Sequence, residues 1–182
     1  MYGVVLSFDA YTEKAIRKLW KELSDRGISH YAQEIENRKP HLTIADYSEL
    51  NNEAEYCEQF VRYYESASKM SLGFGALGTF IDSGALFLSP NPTKKLLDFH
   101  FDHHRHFHAY SSFSNPVYHP GQWIPHCMIA NRLDDVKLSE ALRFATKSLT
   151  AIEAEVQEVS LIKIIHDENK KTIRTLASQS LA

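Results

Sequence analysis

The chain has 182 residues, 43% of them hydrophobic and 24% charged, with a formal net charge of −3 at neutral pH. That length can bury a sizeable core, as one domain or as two small lobes sharing one. The slight acidity argues against wrapping long nucleic acid on a basic surface, yet it permits a small phosphorylated ligand or an RNA end.

Tyr2–Phe8 is rich in β-formers and reads as a strand. It has no basic lead-in, so a signal peptide is not expected. Asp9 is placed to cap a helix whose apolar residues Ala15, Ile16, Leu19, Trp20 and Leu23 recur at helical spacing, with Gly27 ending the run. Ile28–Ile35 reads as a short strand, and His41–Tyr47 as another, entered through Arg38-Lys39-Pro40. A helix is expected over Asn52–Ser68, with Cys57, Phe60, Val61 and Tyr64 facing inward. Strands follow at Ser71–Phe80 and Ala85–Leu88 around the turn signal Asp82-Ser83-Gly84. Thr93–Tyr110 reads as a helix with Leu97, Phe101 and His104 at the core edge, and Ser111–Gly121 as polar turns. The remainder reads as a strand (Trp123–Asn131), a helix (Lys137–Ala151), a long strand (Val156–Ile165), a turn (Asp167–Lys170) and a last strand (Thr172–Leu176). No apolar run approaches the ~18–20 residues of a membrane helix, so no membrane partner is expected. Cys57 and Cys127 lack metal-ligand spacing and read as free thiols of a cytoplasmic protein.

One hexapeptide occurs twice. Pro40-His41-Leu42-Thr43-Ile44-Ala45 and Pro125-His126-Cys127-Met128-Ile129-Ala130 share Pro, His, Ile and Ala and lie about half a chain apart. A repeated supersecondary unit explains this. If the halves fold alike and face each other, His41 and His126 arrive at one site from opposite sides. On a strand His41 and Thr43 share one face while Leu42 and Ile44 share the other. Imidazole titrates near pH ~6.5, so one of two opposed histidines can take a proton while the other gives one.

The two motifs and the lead-in Tyr118-His119-Pro120-Gly121-Gln122-Trp123-Ile124-Pro125-His126 resemble the two-histidine (2H) phosphoesterase superfamily, which includes the 2'-5' RNA ligase-like proteins and cyclic phosphodiesterases. The resemblance implies an α+β, bilobal duplicated fold over residues 1–182, with antiparallel sheets lining a central cleft and helices outside. It implies metal- and cofactor-independent phosphoesterase activity on a nucleotide or RNA end, with His41 and His126 catalytic. The family's His-x-Thr/Ser pattern carries over to Thr43 as a phosphate-binding hydroxyl. At Met128 it fails, because a thioether cannot donate a hydrogen bond. Tyr118, Arg38 or Lys39 are candidates for the missing donor. A nucleotide- or RNA-end-binding module with weak or no turnover is the alternative. Trp123 and Phe8 are candidates for base stacking, against core packing as the more usual fate of such residues. A monomer is expected.

Two further segments invite other readings. His100, His104 and His108 fall at i, i+4 and i+8, a spacing that can chelate zinc. No Cys or Glu completes the set, and a polar helix is the simpler expectation. Gly73, Gly75 and Gly78 match no phosphate-loop pattern and read as a bent strand.

Overall fold

The computed structural model describes residues 1–168 and 170–182. The turn expected at Asp167–Lys170 therefore lies partly outside the described residues. Strands and helices are interleaved, with two strand pairs consecutive in the chain: β1 (Tyr2–Phe8), α1 (Ala10–Asp25), β2 (His41–Tyr47), α2 (Glu53–Tyr64), β3 (Met70–Gly78), β4 (Leu86–Pro90), α3 (Lys94–His106), β5 (Cys127–Ala130), α4 (Asp135–Ser148), β6 (Ile152–Asp167) and β7 (Lys170–Ser180). Short 3-10 turns lie at Tyr31–Gln33, His108–Phe113 and Pro116–Tyr118.

All described strand pairs are antiparallel, and the sheet order is β2-β1-β6-β3-β4-β5, with β7 also paired to β6. The order reads the same from its other end when β1, β2 and β3 are exchanged for β4, β5 and β6. Each half thus gives its third strand to the other. β6 pairs with β1 and β3 with β4, while β3 and β6 meet at the centre. The two halves share one sheet as a result.

α1, α2 and α4 pack against this sheet. α1 buries Ile16, Leu19, Trp20 and Leu23, as its periodicity predicts. Asp9 caps it, accepting from the Thr12 amide at 2.9 Å, and also accepts from the Glu155 amide at 2.8 Å, which ties the helix start to β6.

Several sequence expectations shift. Ile28–Ile35 forms no named strand. Its first amides, those of Ile28 and Ser29, close the end of α1 on the Leu23 carbonyl, and Tyr31–Gln33 coils into a 3-10 turn. α2 stops at Tyr64 and buries Tyr56, Phe60 and Tyr64, leaving Val61 exposed. α3 ends at His106 and buries Leu96, His100 and His103, with Leu97 and Phe101 outside. Both helices are rotated from the apolar stripe because buried tyrosines and histidines satisfy one another: His103 lies between the hydroxyls of Tyr47 (3.0 Å) and Tyr64 (2.7 Å). β5 begins only at Cys127, after Pro125, which has no N–H for a ladder. β6 and β7 run longer at both ends than expected, β6 held at its start by the β3 ladder and from Glu158 onward by β7.

Candidate active site

β2 and β5 end the sheet order, yet the sheet curls until they lie side by side. The two copies of the hexapeptide therefore meet. His41 is the first residue of β2 and His126 directly precedes β5. Both side chains are half-buried, and His126 is close enough to bear on the titration of His41. The Cys127 sulfur, fully buried, faces the His41 amide, and burial pushes its thiol up to about 12. Along both strands the intervening residues, Leu42 and Ile44 or Cys127 and Ile129, are fully buried, as the alternation predicts.

The imidazoles are held identically. His41 Nδ1 lies 2.6 Å from the Lys39 carbonyl, and His126 Nδ1 lies 2.8 Å from the Ile124 carbonyl. A carbonyl only accepts, so each Nδ1 carries the proton and each neutral ring keeps its Nε2 lone pair free. The intervening residue is proline in both cases, Pro40 and Pro125. Proline fixes its own φ and keeps the residue before it extended, so the carbonyl two residues back is held for the ring. Burial pushes His41 down to about 4, with Arg38 and His126 adding to the effect and the Lys39 bond opposing it. Burial also lowers His126, against the bond to Ile124. Both rings are neutral near pH 7.

The residues two positions on are held reciprocally. Trp20 of α1 donates its indole N–H to the Met128 carbonyl at 3.2 Å, and Trp123 donates to the Thr43 carbonyl at 3.0 Å. A tryptophan from each half thus satisfies an outer carbonyl of the other half's motif strand. Trp20 was legible in sequence only as a core residue. Its role follows from the rule that a buried indole N–H finds an acceptor.

Around His41, a recess of about 160 Å³ is lined by Thr43, Tyr118, Arg38, Tyr31 and Asp46. Around His126, an apolar pocket of about 480 Å³ is lined by Met128, Tyr118, Trp123, Phe80, Ile124 and Gln122, among others. Tyr118 borders both and bears on the Thr43 side chain. Burial pushes its phenol up to about 12, so it keeps its proton and remains a donor. Arg38 is 8% exposed, stacked 3.7 Å over Tyr31 and bonded to the Tyr31 carbonyl; it lies on the His41 side, away from Met128. Lys39 lies on that side too.

Trp123 lines the pocket, and His100 stacks flat on it at 4.0 Å. Phe8 is core: it is 5% exposed and edge-on to Phe74, so packing rather than base stacking is its role. An aromatic wall that sequence reading missed stands beside His126, with Phe80 edge-on at 4.9 Å and Phe87 at 5.5 Å. Phe87 fits because Gly78 lies beneath it: a Cβ there would meet the ring at 2.6 Å.

The histidines of α3 serve the fold. His100 Nε2 is 2.8 Å from the Tyr118 carbonyl and His104 Nε2 is 3.0 Å from the Ile44 carbonyl, so the Nε2 of each ring is engaged by backbone. Among the described residues no group of three or more His, Cys, Asp or Glu side chains is arranged to hold a metal ion.

Two matched imidazoles on adjacent strands of an interleaved antiparallel sheet define a class of fold and site. The sequence pattern of the 2'-5' RNA ligase superfamily matches residues 11–168. The chain belongs to that superfamily, among the two-histidine phosphoesterases. The fold is similar to that of E. coli LigT complexed with 3'-AMP, at 13% identity over 99% of this chain and 96% of that one, TM-score 0.62. A crystal structure named only as a phosphoesterase is similar at 15% identity over 99% and 97% of the two chains, TM-score 0.64. TT0787 of Thermus thermophilus is similar at 12% identity over 99% and 97%, TM-score 0.62. At these identities the likeness is one of fold. No curated protein matches the chain. Among the described residues no helix is long and apolar enough to cross a membrane.

Proposed function

We propose that this protein is a metal-independent phosphoesterase acting on a nucleotide or RNA end, at a 2',3'-cyclic phosphate or a 2'-5' linkage. The observation that carries the reading is the pair of imidazoles, each tied through Nδ1 to the carbonyl two residues back and each offering Nε2. LigT, similar in fold, has been solved with 3'-AMP, ATP, NADP+ and phosphate, which favours a phosphorylated nucleotide as the ligand class. Residues 1–182 act as one unit of two related halves, since each half supplies one histidine.

In hydrolysis of a cyclic phosphate, His41, the ring pushed down to about 4, is the base. Its Nε2 takes a proton from water as the water oxygen bonds to phosphorus. The bond from phosphorus to the ribose oxygen breaks on the far side, and His126 gives that oxygen a proton through Nε2. The substrate's own negative charge raises the affinity of His126 for that proton. Thr43 and Tyr118 hydroxyls donate to non-bridging oxygens and stabilise the developing charge. Trp123 and Phe80 offer ring surface to a base.

The test is turnover of a 2',3'-cyclic nucleotide and of a 2'-5'-linked dinucleotide. His41→Ala and His126→Ala should each lower the rate about 10²–10⁴-fold with the melting temperature retained, and EDTA should leave the rate unchanged. Full activity in either variant would overturn the reading. Met128 favours one alternative, a module that binds nucleotide or RNA ends with little turnover. Tight binding of the cyclic nucleotide without product would establish it.

A further inference from the structure

Arg38 is charged, almost wholly buried and largely unpaired. It is 8% exposed and lines the recess that also holds His41, Thr43 and Tyr118. A guanidinium has five N–H donors and keeps its charge in a protein. Among the described residues only the Tyr31 carbonyl accepts a hydrogen bond from it. The carboxylate that pairs with it, Glu34, stands at 3.8 Å, too long for a hydrogen bond. Burying a charge with most of its donors idle is costly, and a buried arginine that served the fold alone would engage its whole fork with protein acceptors. The repeat sharpens the point. Arg38-Lys39-Pro40-His41 in the first copy stands where the second has Trp123-Ile124-Pro125-His126, and Thr43 stands where the second has Met128. One half thus brings a cation and a hydroxyl to the site, and the other brings an indole and a thioether.

The side chain is nevertheless mounted firmly. Its guanidinium carbon sits 3.7 Å over the Tyr31 ring, and Tyr31 is edge-on at 5.8 Å to Trp20, the residue that donates to the Met128 carbonyl. The charge is also kept from cancellation. Glu34 is closer to Arg132, at 2.6 Å, than to Arg38. Arg132 lies just past β5, so it comes from the half that supplies His126. Its backbone is in the left-handed region, at φ 56°, and the next amide, that of Leu133, is bonded to the Gly84 carbonyl at 3.0 Å, which fixes the turn. Two guanidinium groups share one carboxylate, and this trio keeps one net positive charge. Asp46, the other acid of the recess, forms no ion pair with Arg38 and accepts from the Asn115 amide group at 3.4 Å.

We propose that Arg38 is a catalytic residue, whose free N–H groups donate to non-bridging oxygens of the scissile phosphate from the His41 side, and that Arg132 is a positioning residue, which holds Glu34 off Arg38 and so leaves that charge available. Arg38 thereby supplies, from the first half, the stabilisation that Met128 cannot give from the second. The inference rests on the phosphoesterase reading for the reaction, but half of its test is a binding measurement that needs no turnover.

Binding of inorganic phosphate, by NMR titration, and turnover of a 2',3'-cyclic nucleotide are measured on the full chain. Arg38→Gln should weaken phosphate binding about tenfold or more and lower kcat about 10²–10³-fold. Arg38→Lys keeps the charge but loses the fork, so it should recover only part of each loss. Millimolar guanidinium should restore part of the rate to Arg38→Ala and add nothing to wild type. Arg132→Gln should weaken phosphate binding a few-fold, as suits one exposed ion pair. Arg132→Gln/Glu34→Gln should recover that affinity, because the carboxylate released onto Arg38 is gone; a purely structural Arg132 would leave the double variant no better than the single. Thermal melting reports folding, and if Arg38→Gln does not fold, Arg38→Lys carries the test with an expected loss of about tenfold in kcat. Unchanged kcat and phosphate affinity in the folded Arg38 variant overturn the catalytic role and leave the histidine pair untouched. No recovery in the double variant overturns the role of Arg132. If phosphate binding depends on Arg38 but wild type turns over no cyclic nucleotide, Arg38 stands as the phosphate contact and the phosphoesterase reading fails.

Discussion

A single proton on each Nδ1 decides what the imidazoles can do. With it fixed on the carbonyls of Lys39 and Ile124, both rings present the same atom to the cleft, and the difference between base and acid is left to their surroundings. The other asymmetry is Met128, opposite Thr43. Tyr118 borders both recesses and keeps its phenolic proton, so it is the donor best placed to serve both halves. Tyr118→Phe should therefore lower the rate about 10²-fold, the low end for one lost oxyanion donor. Met128→Thr should raise it by up to about ten- to a hundred-fold and recover part of the Tyr118→Phe loss. Steady-state rates on a cyclic nucleotide check this. If Met128→Thr changes nothing in either background while Thr43→Met abolishes activity, the second half-site has no place for a hydroxyl.

At the level of elements, the reciprocal tryptophans hold the site together. β2 and β5 each have an outer edge, and an indole from the opposite half caps one carbonyl on it. Trp20→Phe keeps an aromatic ring but removes the donor and leaves a small void in the core. It should cost at least about 1–2 kcal/mol of stability, read from denaturant midpoints, because the Met128 carbonyl loses its partner and the smaller ring packs less surface. A change near zero would mean that neither the indole bond nor its packing holds the seam. The motif strands, α1 and its Asp9 cap were legible in sequence, since each rests on local pattern: Pro-His alternation, 3.6-residue periodicity and a cap residue. The faces of α2 and α3 were misread because hydropathy does not register that tyrosine and histidine bury when they hydrogen-bond each other. Tyr56, Tyr47, His103 and Tyr64 form such a chain. Phe80 was missed because nothing in one sequence says which ring will lean on His126. Tyr118 and Trp123 were found through their place in the motif's lead-in.

For the whole molecule, the consequence of this packing is a dependence on pH. Burial lowers His41 and His100 to about 4 and lowers His103, His104 and His126 as well. In the unfolded chain these rings titrate near ~6.5. Between pH ~4 and ~6.5 the unfolded state therefore binds more protons than the folded one, so stability is fully present above about pH 7 and declines as pH falls. Depressed carboxylates such as Asp9 and Glu53 add to the loss only below about pH 4. The melting temperature should drop between pH 7.5 and 5, above the range of the depressed carboxylates, although Asp46, raised by burial, works in the opposite direction; a flat profile over that range would show that the rings are hydrated enough to take protons in place. The interleaved sheet order explains why the site and the core share this dependence. Each half completes its sheet with a strand from the other, and the seam between β2 and β5 is where both histidines stand.

The central claim is that His41 and His126 act on one phosphate from opposite sides. A crystal structure with a bound nucleoside 3'-monophosphate tests it most directly. The expected result is a phosphate between the two rings, with both Nε2 atoms at hydrogen-bonding distance, about 2.7–3.2 Å, and both Nδ1 atoms still on the carbonyls of Lys39 and Ile124. A phosphate held by one imidazole alone, or seated elsewhere with the rings turned away from each other, would contradict it.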